Sequence, residues 1–251
     1  MTTRRDPPPR PERDSEAIDR AVSELRRRLN AAAKPATAGE LRRAVGADVP
    51  VYGVNAAEVH RIGLELVRRL RSAPPALSLD IADVLFMTGN LEEGLVAAQV
   101  LGGTARHIGG GEFARFDAWA GALTNAQTAD GLAMSGISKA LAAKPSLAMR
   151  LMDWAKSPSA WRRRAAVSSF IPLVREGRFL TDALAVAELV MADEHPEVQR
   201  GVGTLLLEAS RLNAARIVEF LQAWKDRAPR LVMQIAATKL PPADRSAVLG
   251  R

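Results

Sequence analysis

The chain has no cysteine, which removes disulfides, thiolate metal sites and a cysteine nucleophile from consideration. Histidine occurs only at His60, His107 and His195, too far apart for the short ligand spacing of a metal centre, so neither a metal site nor a cofactor is expected. Aromatic residues make up 4% of the chain, which argues against a ring-lined pocket that swallows an extruded base. No apolar run approaches the roughly 20 residues that cross a bilayer. The start, Met1 to Asp6 followed by prolines, lacks the apolar stretch of a secretory leader. A soluble cytoplasmic protein with no membrane partner is expected. The glycine stretches Gly102-Gly103 and Gly109-Gly110-Gly111 follow no strand and lack the Lys-Ser/Thr of a phosphate loop, so they read as turns. No G-x-S-x-G is present for triad hydrolysis.

What is present is apolar residue and arginine. Of the 251 residues, 47% are hydrophobic, enough for one large core. Lys and Arg outnumber Asp and Glu by 35 to 28, a net charge of +7 that favours a polyanionic partner. Residues 1 to 13, with Pro7-Pro8-Pro9-Arg10-Pro11, are too rich in proline and too poor in apolar groups to fold alone and read as a disordered tail. Residues 14 to 251 then form a single helical domain.

The helical reading rests on periodicity. Val59, Ile62, Leu66 and Leu70 recur at intervals of three and four, as do Val198, Val202, Leu205 and Ala209. Asn55 with Glu58 and Asn90 with Glu93 have capping-box spacing, and Glu93 is better explained as a cap than as an acid or base. Ser157-Pro158 and His195-Pro196 place proline where helices begin. Gly177 and the Gly109 to Gly111 run mark stops. About a dozen short helices result, each with one apolar stripe, and pairing them at about 40 residues per hairpin gives an all-α, HEAT-like helical-repeat solenoid. An irregular helical bundle is the competing fold.

Three stretches carry a family resemblance. Trp154 to Ala166 combines two tryptophans with Arg162-Arg163-Arg164, Val198-Gln199-Arg200-Gly201-Val202-Gly203 forms a later helix, and Tyr52-Gly53-Val54 precedes an early one. In this order they resemble the AlkD-like DNA alkylation repair family, over roughly residues 35 to 225. The resemblance implies a C-shaped stack of antiparallel helix pairs holding duplex DNA on a basic face. It also implies excision of cationic N3- or N7-alkylated purines without base extrusion, by a monomer located in the cytoplasm with the nucleoid.

On the same resemblance Asp130 is the catalytic carboxylate and Arg164 a phosphate clamp, with Arg163, Trp161 and Arg200 also at the DNA. The chain departs from the family where Ala126 and Thr204 replace tryptophans and Leu207 replaces an arginine. Trp119 or Trp224 is a candidate substitute from another helix. Read without the resemblance, Asp130 is a helix N-cap, Trp161 is core, and Arg162, Arg163 and Arg164, about 100° apart on a helix, must point at different partners. Arg68, Arg69 and Arg71 close a helix and complement its dipole. Three functions remain open: an alkylpurine glycosylase, a non-catalytic binder of DNA structure, and a protein-interaction solenoid.

Overall fold

The computed structural model describes residues 12–250. Among them every regular element is a helix: α1 (Glu12–Ala32), α2 (Pro35–Val45), α3 (Ala56–Leu70), α4 (Pro75–Phe86), α5 (Leu91–Thr104), α6 (Phe113–Gly121), α7 (Ala126–Leu132) and α8 (Ser138–Ala143). There follow α9 (Ala148–Trp154), α10 (Ala160–Ser168), α11 (Ile171–Arg175), α12 (Leu180–Val190), α13 (Pro196–Trp224), α14 (Arg230–Ala236) and α15 (Pro242–Leu249). The expected proline and arginine tail falls, up to residue 11, outside the described residues; α1 already begins at Glu12.

The caps decide where several helices start. Asn55 accepts from the Glu58 N–H at 3.0 Å and Asn90 from the Glu93 N–H at 3.1 Å, as their spacing predicts. Asn125 does the same for Thr128 at 2.9 Å, so Asp130 lies inside α7 and is not its N-cap. Pro196 occupies the first turn of α13 behind an N-cap His195, whose Nδ1 accepts from Glu197 N–H. Ser157-Pro158 is a turn instead, because Ser159 caps α10 at the Arg162 N–H. Gly177 adopts φ of 74°, a left-handed conformation that costs glycine nothing, just past the end of α11. The 29-residue α13 is broken at Asn213, where φ is −136° and ψ is 48°.

The helices stack in two rows. One runs α3, α5, α7, α10, α13 and α14, each packing on the next. The other contains α1, α4, α6, α9 and α12 and packs behind it. A single cluster of buried apolar residues extends from Ile18 to Val248, and Val59, Ile62, Leu66, Val198, Val202, Leu205 and Ala209 all point into it. This is a helical-repeat solenoid, and its repeat is written in polar bonds. Trp119 Nε1 donates to Asp83 at 2.8 Å, and one unit later Trp154 Nε1 donates to Asp117 at 2.8 Å; the partners are 36 and 37 residues apart. Indole donors bound to carboxylates of the preceding helix thus tie α6 to α4 and α9 to α6.

Candidate functional site

The first row brings Asp130, Arg164 and Arg200 into one place. α5 and α7 approach closely because Gly131 has no side chain: a Cβ there would sit 2.8 Å from Ala98 Cβ. That contact orients α7 so that Asp130 faces α10. Arg164 Nε and Nη2 donate to the two oxygens of Asp130 at 2.9 and 2.7 Å, a bidentate pair across 34 residues of sequence. Ser168, one turn further along α10, donates its hydroxyl to Asp130 Oδ1 at 2.6 Å. From the other side Arg164 Nη1 reaches the backbone carbonyl and Oε2 of Glu197, the latter at 3.1 Å. Glu197 Oε1 in turn accepts from Arg200 Nε at 2.9 Å.

The result is an alternating chain of charge, Asp130, Arg164, Glu197 and Arg200, crossing three helices. Exposure separates its members. The Arg164 side chain is 11% exposed, Asp130 24% and Arg200 52%. Arg164 has four of its five N–H donors committed. Arg200 has donated only Nε, so its outer nitrogens face solvent. The guanidinium expected to hold a phosphate therefore orients Asp130, and the more available cation is one helix further on. Asp130 Oδ2 accepts one bond and keeps a lone pair for a water or a ligand.

The three successive arginines diverge as the 100° step requires. Arg162 bonds the carbonyl of Asp117 and covers the Trp154 ring at 5.4 Å. Arg163 pairs with both oxygens of Asp193 and caps the Ser157 and Pro158 carbonyls. Only Arg164 turns to Asp130. Trp161 is half-buried with its ring edge-on to His195, 5.2 Å between centroids.

Neither substitute tryptophan has Asp130 as its partner. Trp119 is 1% exposed, stacked on Phe86 and bonded to Asp83. Trp224 lies under the guanidinium of Arg227, 4.2 Å away. Ala126 and Thr204 are half-buried on α7 and α13, the helices flanking the ion chain. Ser168 and Glu197 were missed from sequence, and the one available signal was their spacing from Arg164 and Pro196. His60 and His107 are exposed, and His195 is an N-cap. No group of three His, Asp or Glu placed to hold a metal occurs among the described residues, and no helix is long and apolar enough to cross a membrane.

A second polar cluster lies at the start of α5. Glu92 is fully buried and its carboxylate accepts three backbone N–H groups: Tyr52 at 3.1 Å on Oε2, Gly53 at 2.8 Å and Val54 at 3.1 Å on Oε1. Glu93, 2% exposed, accepts the Tyr52 hydroxyl at 2.6 Å and both Nε and Nη2 of Arg26. The expected cap role of Glu93 holds for its backbone N–H alone; its side chain anchors α1 and the Tyr52 segment to α5.

Burial, and then the hydrogen bond to the Glu93 carboxylate, push the Tyr52 hydroxyl from 10.0 up to about 12. Because the neutral phenol is favoured in the fold, its contribution is complete below pH 10 and is lost as pH rises towards 12. Tyr52 is the sole tyrosine, so the ultraviolet absorbance of tyrosinate reports it alone. The native protein should ionise near pH 12 and the urea-unfolded chain near 10; coincident curves would contradict the buried contact.

A family model described as DNA alkylation repair enzyme matches residues 25–240. Among solved structures, a "predicted DNA alkylation repair enzyme from Enterococcus faecalis" superposes with a TM-score of 0.72 at 15% identity, covering 84% of this chain and 97% of that one. At that identity the likeness speaks to the fold alone. No curated protein matches the sequence.

Proposed function

The chain belongs to the DNA alkylation repair enzyme family, and from that premise we propose that it is a DNA glycosylase releasing cationic N3- or N7-alkylated purines from duplex DNA. The observation that carries the reading is the Asp130 carboxylate, held by Arg164 and Ser168 while still 24% exposed. An alkylated purine already carries positive charge and leaves readily. When the bond from C1′ to the base nitrogen breaks, its electron pair neutralises the base and positive charge grows on the sugar. A carboxylate fixed beside C1′ stabilises that charge and orients the water that adds there. Preorganisation is what the two neighbours supply, because an immobile carboxylate has no reorientation left to undergo during the reaction. Arg200 serves as the backbone contact, being the member of the chain with free donors.

The test is release of free base from a duplex containing N7-methylguanine. Wild type should release it, and Asp130→Asn should lose at least roughly a hundredfold in rate, the scale of removing one preorganised electrostatic group. Duplex affinity should stay unchanged.

A second reading, a non-catalytic binder of DNA, is favoured by a specific observation: each tryptophan ring has a partner away from Asp130, and Ala126 and Thr204 provide no replacement. The same assay separates the two. Absence of base release from N7- and N3-alkylated substrates, together with duplex binding that falls steeply with salt through counterion release, selects the binder. Absence of both rejects each.

A further inference from the structure

We propose that a cavity between the α3–α4 turn and the last turn of α5 is a binding site for a phosphate group, separate from the Asp130 chain and independent of the repair reading. The cavity has a volume of about 420 Å³ and is lined by Arg71, Pro75, Ser78, Thr104, Arg106 and His107, with apolar neighbours and no carboxylate among its lining residues. The cavity brings together two arginines without an acid partner among the described residues. Arg26, Arg28, Arg61, Arg115, Arg163, Arg164, Arg175 and Arg200 are all paired with acids. Arg71 has no carboxylate partner among the described residues, and Arg106 donates only to His107 Nε2, at 2.9 Å. Two exposed guanidinium groups thus reach one cavity with their outer N–H donors unspent.

The second observation is Ser78. It is 4% exposed and lines the cavity. Among the described residues the sealed polar side-chain atom without a partner is Gln99 Oε1, so the Ser78 hydroxyl keeps access to the cavity, where it can donate to a ligand oxygen. Thr104 differs, because its hydroxyl already donates to the Val100 carbonyl at 2.8 Å. His107 accepts at Nε2 and so presents its proton on Nδ1, a further donor.

Helix ends do not cancel this charge. The C-termini of α3 and α5 border the cavity with about half a negative charge each, and the first turn of α4 supplies about half a positive one. The net of about −0.5 is outweighed by two guanidinium charges. Arginine forks and a hydroxyl donor match the several acceptor oxygens of a phosphate. The source of that phosphate is either a small phosphomonoester in solution or a phosphodiester of a nucleic-acid backbone.

The experiment titrates inorganic phosphate into the full chain by calorimetry, with ionic strength held constant by chloride, for wild type, Arg71→Gln/Arg106→Gln and Ser78→Ala. In parallel, the affinity of an unmodified DNA duplex is measured against salt. Saturable phosphate binding is expected, weakened at least about tenfold by the double substitution and severalfold by Ser78→Ala. If the duplex salt slope also falls by about two in the double variant, the phosphate is a backbone diester; if the duplex data do not move, it is a small phosphoester. Two results overturn the proposal: absence of saturable phosphate binding by wild type with an unaltered duplex slope in the double variant, or phosphate binding equal in wild type and both variants. Arg71 and Arg106 are exposed, so their replacement leaves packing intact, and the thermal unfolding curve of each variant verifies it.

Discussion

Glu92→Ala is expected to be the most destabilising single substitution in the amino-terminal half of the chain. The side chain is fully buried and satisfies three backbone N–H groups, those of Tyr52, Gly53 and Val54. Truncation leaves these donors in a space too apolar to hydrate them well. Each unsatisfied buried donor costs about 1–3 kcal/mol, and with some water entry into the vacated volume a loss of about 3–5 kcal/mol follows. At about 2–4 °C per kcal/mol for a chain of this size, the melting temperature should fall by roughly 6–20 °C. Glu92→Gln should recover part of the loss, because its amide oxygen still accepts from Gly53 and Val54 while its NH₂ faces another donor at Tyr52. Thermal unfolding followed by circular dichroism measures both. A Glu92→Ala protein that melts with wild type would mean that the segment before α3 is held by packing alone.

Arg164→Met carries the second large effect, and it acts on stability and chemistry together. Methionine retains much of the volume of the aliphatic stem but strands Asp130 and Glu197, two carboxylates that face each other once the guanidinium is gone. Breaking a fully buried pair from one side costs about 3–5 kcal/mol. Asp130 and Glu197 are 24% and 31% exposed, and solvent screening brings the expected loss to about 2–3 kcal/mol. Removing the opposing charge as well, in Arg164→Met/Asp130→Asn, should return about half of it, since an amide bears no unpaired charge. Urea unfolding of wild type, both single variants and the double variant yields the coupling directly. A coupling below about 0.5 kcal/mol would show the pair to be incidental. A large coupling with a nearly wild-type double variant would mean that the ion pair is retained for what Asp130 does, because stability alone does not require it. In the base-release assay Arg164→Met should lose activity while keeping Asp130, as expected of a positioning residue.

The two clusters differ in how visible they were in the chain. The fold was legible because helical period, Asn caps and glycine stops are local: Val59, Ile62 and Leu66 declare a stripe within eight residues, and Asn55 and Asn90 announce the helices after them. Asp130 and Arg164 were singled out through the family resemblance of the stretches around Tyr52, Trp154 and Val198, and the structure pairs them with each other. What could not be read was which partner each arginine takes. Arg163 and Arg164 are neighbours in sequence and differ by 100° on α10, so one meets Asp193 and the other Asp130, 30 and 34 residues away. Ser168 and Glu197 joined the site for the same reason. The indole to carboxylate bonds of Trp119 and Trp154 mark a repeat in the structure, yet the sequence around each has diverged too far for the pattern to be seen.

Sequence by itself determined that this protein is helical, that its helices bury one stripe each and stack, and that a carboxylate on α7 and an arginine on α10 are worth attention. The helices and their stripes follow from interactions within a few residues, where spacing along the chain is also spacing in space; the two site residues came from the family resemblance. Tertiary structure alone decided that Arg164 is spent on Asp130 and Glu197, that Arg200 is the open cation, that the tryptophans face elsewhere, and that Arg71 and Arg106 share a cavity with Ser78. Those outcomes depend on how one helix rotates against the next, and that rotation is set by close contacts such as Gly131 on Ala98, which no local spacing encodes.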